Sequence, residues 1–423
     1  MKIIRSSELT ENFFRYQEIE EIGSVGEIVA DVQQHGDSAV KRYTERFDNV
    51  SLDIIEVDRT EMRAAGSALP KEDIAALKRT AASIRTFAEK QKEARVDFEY
   101  EIEPGVITGQ KIVPIERAGI YTPGGRFPLP STVLMCAIPA KVAGVQEVLL
   151  CSPPTHGGSI HPAILAAADL CEVDKVYRIG GVQAVAAMAY GTESVMPVDI
   201  IVGPGNKYVT AAKKLVYGTV GIDFIAGPTE VLIIADEWAR EDFVAADLLA
   251  QAEHDTNAVP ILVTDSYELA NRVNAEIEKQ LSRLNTAEIA RISMENNGLI
   301  ILVNHLDEAV EIANRKAPEH LEVQLNDPNL YLDALKNYGS LFIGVYSAEV
   351  LGDYSSGLNH TLPTNTTARY TGGLSVNNFL KTQTTLRITK KGLHAIGPTA
   401  ERLGHMEGLS GHANSTRVRL DSE

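Results

Sequence analysis

The sequence predicts an α/β fold built on parallel sheets. Three observations carry this. Seven short apolar runs suit strands buried on both faces: EVLLC at 147–151, KVYRI at 175–179, DIIVG at 199–203, VLIIAD at 231–236, PILVTD at 260–265, LIILV at 299–303 and SLFIGV at 340–345. Helical stretches fall between many of them, among them HPAILAAADL, QAVAAMAYG, REDFVAADLLAQAEH, SYELANRVNAEIEKQLSRL and LDEAVEIANRK. Strand and helix in alternation imply right-handed crossovers between parallel strands. The 423 residues allow two or three structural units with ample core.

The flanking regions read differently. From about Ile22 to Glu103 the pattern is mainly helical and charged, with apolar residues spaced by three and four in EIVADVQQHGDSAVKRYTERF and DIAALKRTAASIRTFAEKQKEA. After about Leu374 the strand pattern is lost, and a polar, helical tail carries His412.

Composition narrows the function. Lys+Arg 40 against Asp+Glu 57 gives a net charge of −17, which disfavours nucleic acid and anionic membrane as partners. Cys136, Cys151 and Cys171 show neither disulfide nor metal spacing and read as small buried hydrophobes of a reducing compartment. The N-terminal MKIIRSSELT has no apolar core of the kind a signal peptide needs, and no run of about 18 apolar residues suggests a membrane span. A cytoplasmic protein is expected.

Three glycine-rich turns sit at or near strand-to-helix junctions: Tyr121-Thr122-Pro123-Gly124-Gly125, Gly180-Gly181-Val182-Gln183 and Gly203-Pro204-Gly205-Asn206. Glycine lets backbone approach a ligand, and a following helix N-terminus favours phosphate. The dinucleotide fingerprint GxGxxG is absent, so each turn alone also fits plain loop chemistry; together they make a nucleotide site plausible.

Four dispersed residues could hold one metal: Gln251, His254, Asp353 and His412. Gln251 and His254 would share one face of a helix. Against this, Gln is an unusual zinc ligand, and an Asp in LGDYSS also fits a turn or cap. An acid stands beside a base at Glu319-His320 in KAPEHLE, a pairing suited to proton transfer and equally to capping after Pro318. His360 in GLNHTLPT is ambiguous in the same way. His35, His156, His161, His305, His394 and His405 read as surface residues.

GIYTPGG, VGPGNKYV, GIDFIAGPTEVLIIAD, LLAQAEHD, APEHLE, LGDYSSGLNHTLPT and EGLSGHANSTRVRL, in this order, closely resemble the histidinol dehydrogenase family. The resemblance covers residues from about 20 to the C-terminus. It implies a homodimeric, zinc-containing, NAD-dependent enzyme that oxidises L-histidinol through L-histidinal to L-histidine. It also implies two incomplete Rossmann-like domains and helical N- and C-terminal extensions, with a tail exchanged between subunits. The boundaries expected are 1–20 for the N-terminal extension, 21–118 with 230–373 for the first Rossmann-like domain, 119–229 for the NAD-binding second, and 374–423 for the tail.

Carried over residue by residue, the resemblance assigns Glu319 and His320 to catalysis. NAD falls to Tyr121, Gln183 and Asn206. Zinc falls to Gln251, His254, Asp353 and His412, the last from the other subunit. Substrate contacts fall to Thr229, Gln251, His254, His320, Asp353, His360, Glu407 and His412. In this scheme zinc acts chiefly as a template, His320, neutral near pH 7, takes the hydroxyl proton, and Glu319 activates water for the aldehyde step. The chain has AGPTE, with Thr229, where the family usually has AGPSE, and GGRFPLPS at 124–131 also differs from many members. Paralogues acting on other primary alcohols, such as sulfopropanediol, are therefore the alternative. A zinc hydrolase using Glu319 as base would leave the three turns without a role, and a binding module would not need Glu319 beside His320.

Overall fold

All seven apolar runs form strands, and the reason lies in how their side chains are shared. In Glu230–Ala235, Val231, Ile233 and Ala235 pack into one core cluster while Leu232 and Ile234 pack into another on the opposite face. In Glu147–Cys151, Val148 and Leu150 take one face and Leu149 and Cys151 the other. A strand covered on both faces must be apolar at every position, which turns alternation into a continuous run. The structure, a computed structural model, describes residues 1–18, 22–124 and 127–422. Gly125 and Arg126, and the expected boundary at 20/21, lie outside the described residues.

One sheet has six strands in the order Lys2–Arg5, Leu299–Leu302, Val259–Thr264, Glu230–Ala235, His320–Gln324 and Ser340–Ile343, every pair parallel. A second has five, Lys175–Tyr177, Glu147–Cys151, Arg117–Tyr121, Ile200–Val202 and Gly221–Ile222, also all parallel. The helix Gly23–Asp48 packs on Gly181–Tyr190, and Lys71–Glu93 packs on Pro130–Ala143. The N-terminal helices thus cover the five-stranded sheet, with Val25, Val29 and Val32 in its core. This departs from the expected grouping of 21–118 with 230–373.

Two other expectations are corrected. The N-terminal segment is not a helical extension: Lys2–Arg5 adds an edge strand beside Leu299–Leu302, with Ile4 buried in the core. The stretch before Glu103 and the tail are not wholly helical either. Phe98–Glu103, Val106–Pro114 and Leu380–Ile388 form a three-stranded antiparallel sheet. FEYEIE alternates apolar and acidic residues with period two, a strand signal masked by its charge. In LKTQTTLRI the threonines supply the β-branching.

Beyond that sheet the helices Lys390–Met406 and Ser410–Leu420 pack on each other and bury little beyond Gly392, Gly397, Gly404 and Ala413. Phe98, Tyr100, Ile102, Leu386, Leu403, Met406 and Val418 stand exposed on this appendage. The three cysteines are free and buried, and burial pushes their thiols up. Among the described residues no helix is long and apolar enough to cross a membrane.

Gly203 closes the strand Ile200–Val202 at φ +114°, where a Cβ would lie 2.1 Å from the Tyr121 carbonyl oxygen. Gly218 also has a positive φ, +101°, but nothing lies within 4 Å of its Cβ position. Gly203→Ala should therefore cost more unfolding free energy than Gly218→Ala, whose penalty is the backbone strain alone, about 1–2 kcal/mol. Denaturant titration of both variants reads the difference; equal losses would contradict the close packing at Gly203.

Candidate active site

The carboxyl ends of the five-stranded sheet carry the three turns. Tyr121 ends its strand, and its hydroxyl accepts a hydrogen bond from the Gly181 amide at 3.1 Å. Burial pushes that hydroxyl up to about 12, so it stays a neutral phenol. Gln183, on the first turn of Gly181–Tyr190, is fully buried, and both its carboxamide atoms lack a partner among the described residues. A buried amide left unfilled is costly unless a ligand supplies the partners. Asn206 caps the helix Lys207–Val216, its Oδ1 accepting from the amides of Tyr208 at 3.0 Å and Val209 at 3.1 Å. Its amide nitrogen is what remains to meet a ligand.

The third turn is pinned from behind. The buried Lys213 donates to the Gly203 carbonyl at 3.0 Å and pairs with Asp223, whose other oxygen accepts from the Gly203 amide at 2.8 Å. Both polar groups of Gly203 are thereby satisfied, which ties the loop to the lysine and aspartate behind it.

The amino ends of the six-stranded sheet supply the acid and base. Glu319 immediately precedes the strand His320–Gln324, and Thr229 immediately precedes Glu230–Ala235. The register sets His320 opposite Val231, so the two junctions lie side by side. Glu319 Oε2 accepts from the Thr229 hydroxyl at 2.6 Å and from the Glu230 amide at 2.9 Å. The helix Glu241–Ala252 contributes Gln251, whose amide nitrogen donates to Thr229 Oγ1 at 2.6 Å, and His254 follows just past its end. Asp353 comes from the short helix Glu349–Tyr354, and His360 from the loop after it, with Nε2 3.3 Å from Ser131 Oγ.

Thr229, His254, Glu319, His320, Asp353 and His360 line one cleft, faced by Ser131, Gly203, Pro204, Gly205 and Lys213. The cleft therefore joins the amino ends of one sheet to the carboxyl ends of the other. Gln251 is fully buried directly behind Thr229. Tyr121, Gln183 and Asn206 lie on the same turns as the cleft's glycines but outside its lining. Glu407 and His412 are exposed on the tail, and a single chain does not bring them to this cleft.

Electrostatics separates the groups. Burial raises Glu319 to about 7, against the pull of His320 and the two hydrogen bonds. Around His320, burial works to lower the imidazole, but carboxylates outweigh it. Glu349 lies 3.7 Å and Glu319 3.8 Å from Nδ1, and Asp353 3.6 Å from Nε2, and together they raise it well above its ordinary value. The carboxylates therefore favour the imidazolium, which makes His320 a stronger base than a free imidazole. Nδ1 also faces the Glu230 carbonyl at 3.3 Å. A proton there leaves Nε2, which has no hydrogen-bond partner among the described residues, to face the cleft.

His254 and His360 move the other way: desolvation lowers both and keeps them neutral, although His254 still has an open edge. Burial acts to raise Asp353, but His320 and the neighbouring histidines hold it below the usual carboxylate range.

Sequence reasoning missed the acids behind this site. Glu349 is almost fully buried and raised to about 8 by burial. Glu322 accepts from the Glu349 amide at 2.9 Å, and Gln324 bridges Glu322 at 2.9 Å and Asp247 at 2.8 Å. A buried Lys316–Glu230 pair sits beside them. The available signal was the four-residue spacing of Glu349 and Asp353, which puts both on one helix face.

Among the described residues, no three His, Cys, Asp or Glu side chains converge as a metal cage. The donors at hand are of mixed type: the Gln251 carboxamide oxygen, buried and without a partner, the neutral His254 and the ionised Asp353. The imidazole and the carboxylate are ordinary zinc ligands, the amide oxygen is an unusual third with no other partner, and one position is left for a further ligand.

A family model described as histidinol dehydrogenase matches residues 14–420. Histidinol dehydrogenase from Methanothermobacter thermautotrophicus is 46% identical over 416 residues, 98% of this chain and 97% of that protein. The one from Methanosarcina mazei is 47% identical over 397 residues, 94% and 91% of the two chains. The crystal structure of histidinol dehydrogenase from Elizabethkingia anophelis superposes with a TM-score of 0.94 at 39% identity, covering 100% of this chain and 98% of that one. With the match running from one end of the fold to the other, and an acid and base meeting in one cleft, the chain belongs to the histidinol dehydrogenase family of oxidoreductases.

Proposed function

We propose that the protein oxidises L-histidinol through L-histidinal to L-histidine with zinc and NAD, the last step of histidine biosynthesis. The observation that carries this is the emergence of Glu319 and His320, side by side, into a cleft shared with His254, Asp353 and His360. The unfilled carboxamide of Gln183 and the pinned turn at Gly203 support a nucleotide on the five-stranded sheet. In this reading each parallel sheet is an incomplete Rossmann-like unit, with NAD on residues 119–229. The family role and the free, buried cysteines support a cytoplasmic enzyme.

Gln251, His254 and Asp353 would hold zinc, which when bound supplies a template and positive charge that orient the substrate's imidazole and amine. NAD, when bound, supplies the acceptor for one hydride in each oxidation. The chain's own residues do the rest. His320 takes the hydroxyl proton at Nε2, and its three carboxylate neighbours stabilise the imidazolium that results. Glu319 anchors Oε2 on Thr229 and the Glu230 amide, leaving Oε1 as the base that activates water on the aldehyde. His320 then accepts the proton of the hydrated aldehyde. Burial of the pair excludes bulk water and retains the aldehyde between steps.

The tail supports a homodimer. Its apolar face is exposed in one chain, and its Glu407 and His412 would complete a partner's cleft. The alternative alcohol rests on Thr229, yet its hydroxyl is engaged by Glu319 and Gln251, a link serine would equally make, so the departure from AGPSE does not itself favour another substrate. A hydrolase reading leaves the carboxyl-end turns unused.

Incubation with L-histidinol, NAD and zinc should yield two NADH per L-histidine, with no aldehyde accumulating; no turnover by zinc-loaded protein would overturn the proposal. The titration of the two bases gives a second prediction. Glu319 is raised to about 7 and His320 well above its ordinary value, so both are protonated at lower pH and oxidation should rise as pH increases from neutrality. Glu319→Gln should slow aldehyde oxidation by about 100-fold or more and affect the alcohol step less. Equal losses in both halves, or a flat pH profile, would contradict these roles.

A further inference from the structure

The hydrogen bonds around Thr229 form a chain whose direction is fixed at one end. Glu319 Oε2 is the accepting end: two donors already point at it, so any proton the carboxyl takes up belongs on Oε1. Its Oε2 takes the Thr229 hydroxyl at 2.6 Å and the Glu230 amide at 2.9 Å. The single proton of Thr229 is spent on that bond, so toward Gln251, also at 2.6 Å, the threonine oxygen can only accept. The Gln251 group facing Thr229 must be its NH2. Side-chain amides are usually assigned from their surroundings, and here the surroundings leave one choice. Gln251 Oε1 is then turned away from Thr229, fully buried and without a partner among the described residues.

We infer that Thr229, besides lining the cleft, is a positioning residue for the metal: its hydroxyl ties the Glu319 carboxyl to the Gln251 carboxamide and aims the Gln251 oxygen as a ligand. The inference rests on the zinc reading above. It explains why a carbonyl oxygen is left unfilled in a fully buried side chain, an arrangement that is costly unless something binds it. The base and the metal ligand are thereby set by one side chain. Valine at 229 keeps the branched shape but frees the Gln251 amide to turn.

The test measures zinc affinity of the full-length protein by chelator competition, alongside the KM for L-histidinol of the zinc-saturated enzyme. Thr229→Val should weaken zinc binding by about 10–100-fold, and Thr229→Ser should restore it. Unfolding curves check that each variant is folded; should Thr229→Val not fold, Thr229→Ala reads the same affinity. Wild-type affinity in the variant lacking the hydroxyl, with KM for histidinol raised, would overturn the inference and return Thr229 to substrate binding. Wild-type protein that binds no zinc would overturn the metal reading itself, and this role with it.

Discussion

Parallel sheets covered on both faces leave no room for chemistry except at the strand ends, and this constraint shapes the molecule. Val231 to Ala235 and Val148 to Cys151 are apolar on both sides, so every polar group with a task is pushed to a junction. Ligands of open α/β sheets ordinarily bind beyond the carboxyl ends of the strands. The five-stranded sheet obeys this with its glycine turns. The six-stranded sheet offers its amino ends instead, where Thr229 and Glu319 stand one residue ahead of paired strands. Two unlike edges meet, one suited to a cofactor and one carrying acid and base.

Charge at the second edge is concentrated where water is scarce. His320 stands between Glu319, Glu349 and Asp353, each within 4 Å. Buried carboxylates without a cation would be driven to protonate; beside an imidazolium they compensate one another. His320 holds Asp353 ionised, while burial raises Glu319 and Glu349 against its pull. The cleft thus sets groups of neighbouring chemistry at different proton affinities, a feature of sites that move protons in more than one step.

How much of this the sequence disclosed follows from the same physics. The seven strands were legible because burial on both faces writes a plain apolar run. The ribbon Phe98–Glu103 was not, because an exposed strand alternates acids with apolar residues and looks like charged helix. Lys2–Arg5 holds only two apolar residues between two cations, too few to register, and the packing of Gly23–Asp48 on the later sheet is a long-range choice that no local pattern encodes. Glu319 and His320 stood out as neighbours in the chain. Glu322, Gln324 and Asp247 did not, because buried acids on a strand or helix read as the solvent face of an amphipathic element. His254 and Asp353 were found as ligand candidates from residue type and from the likeness of their surroundings, and the fold does bring them to one cleft.

The tail is where one chain falls short of the account. Its helices bury little of their own surface, and its His412 is exposed while Gln251, His254 and Asp353 wait at the cleft. If the neighbouring subunit finishes the cleft, mixing two inactive chains shows it most directly. Chains carrying Gln251→Ala and chains carrying His412→Asn, unfolded and refolded together, should regain about a quarter of wild-type activity, since half the dimers are mixed and each mixed dimer holds one intact site of two. No recovery, with both variants dimeric, would place all four donors within one chain and contradict the account.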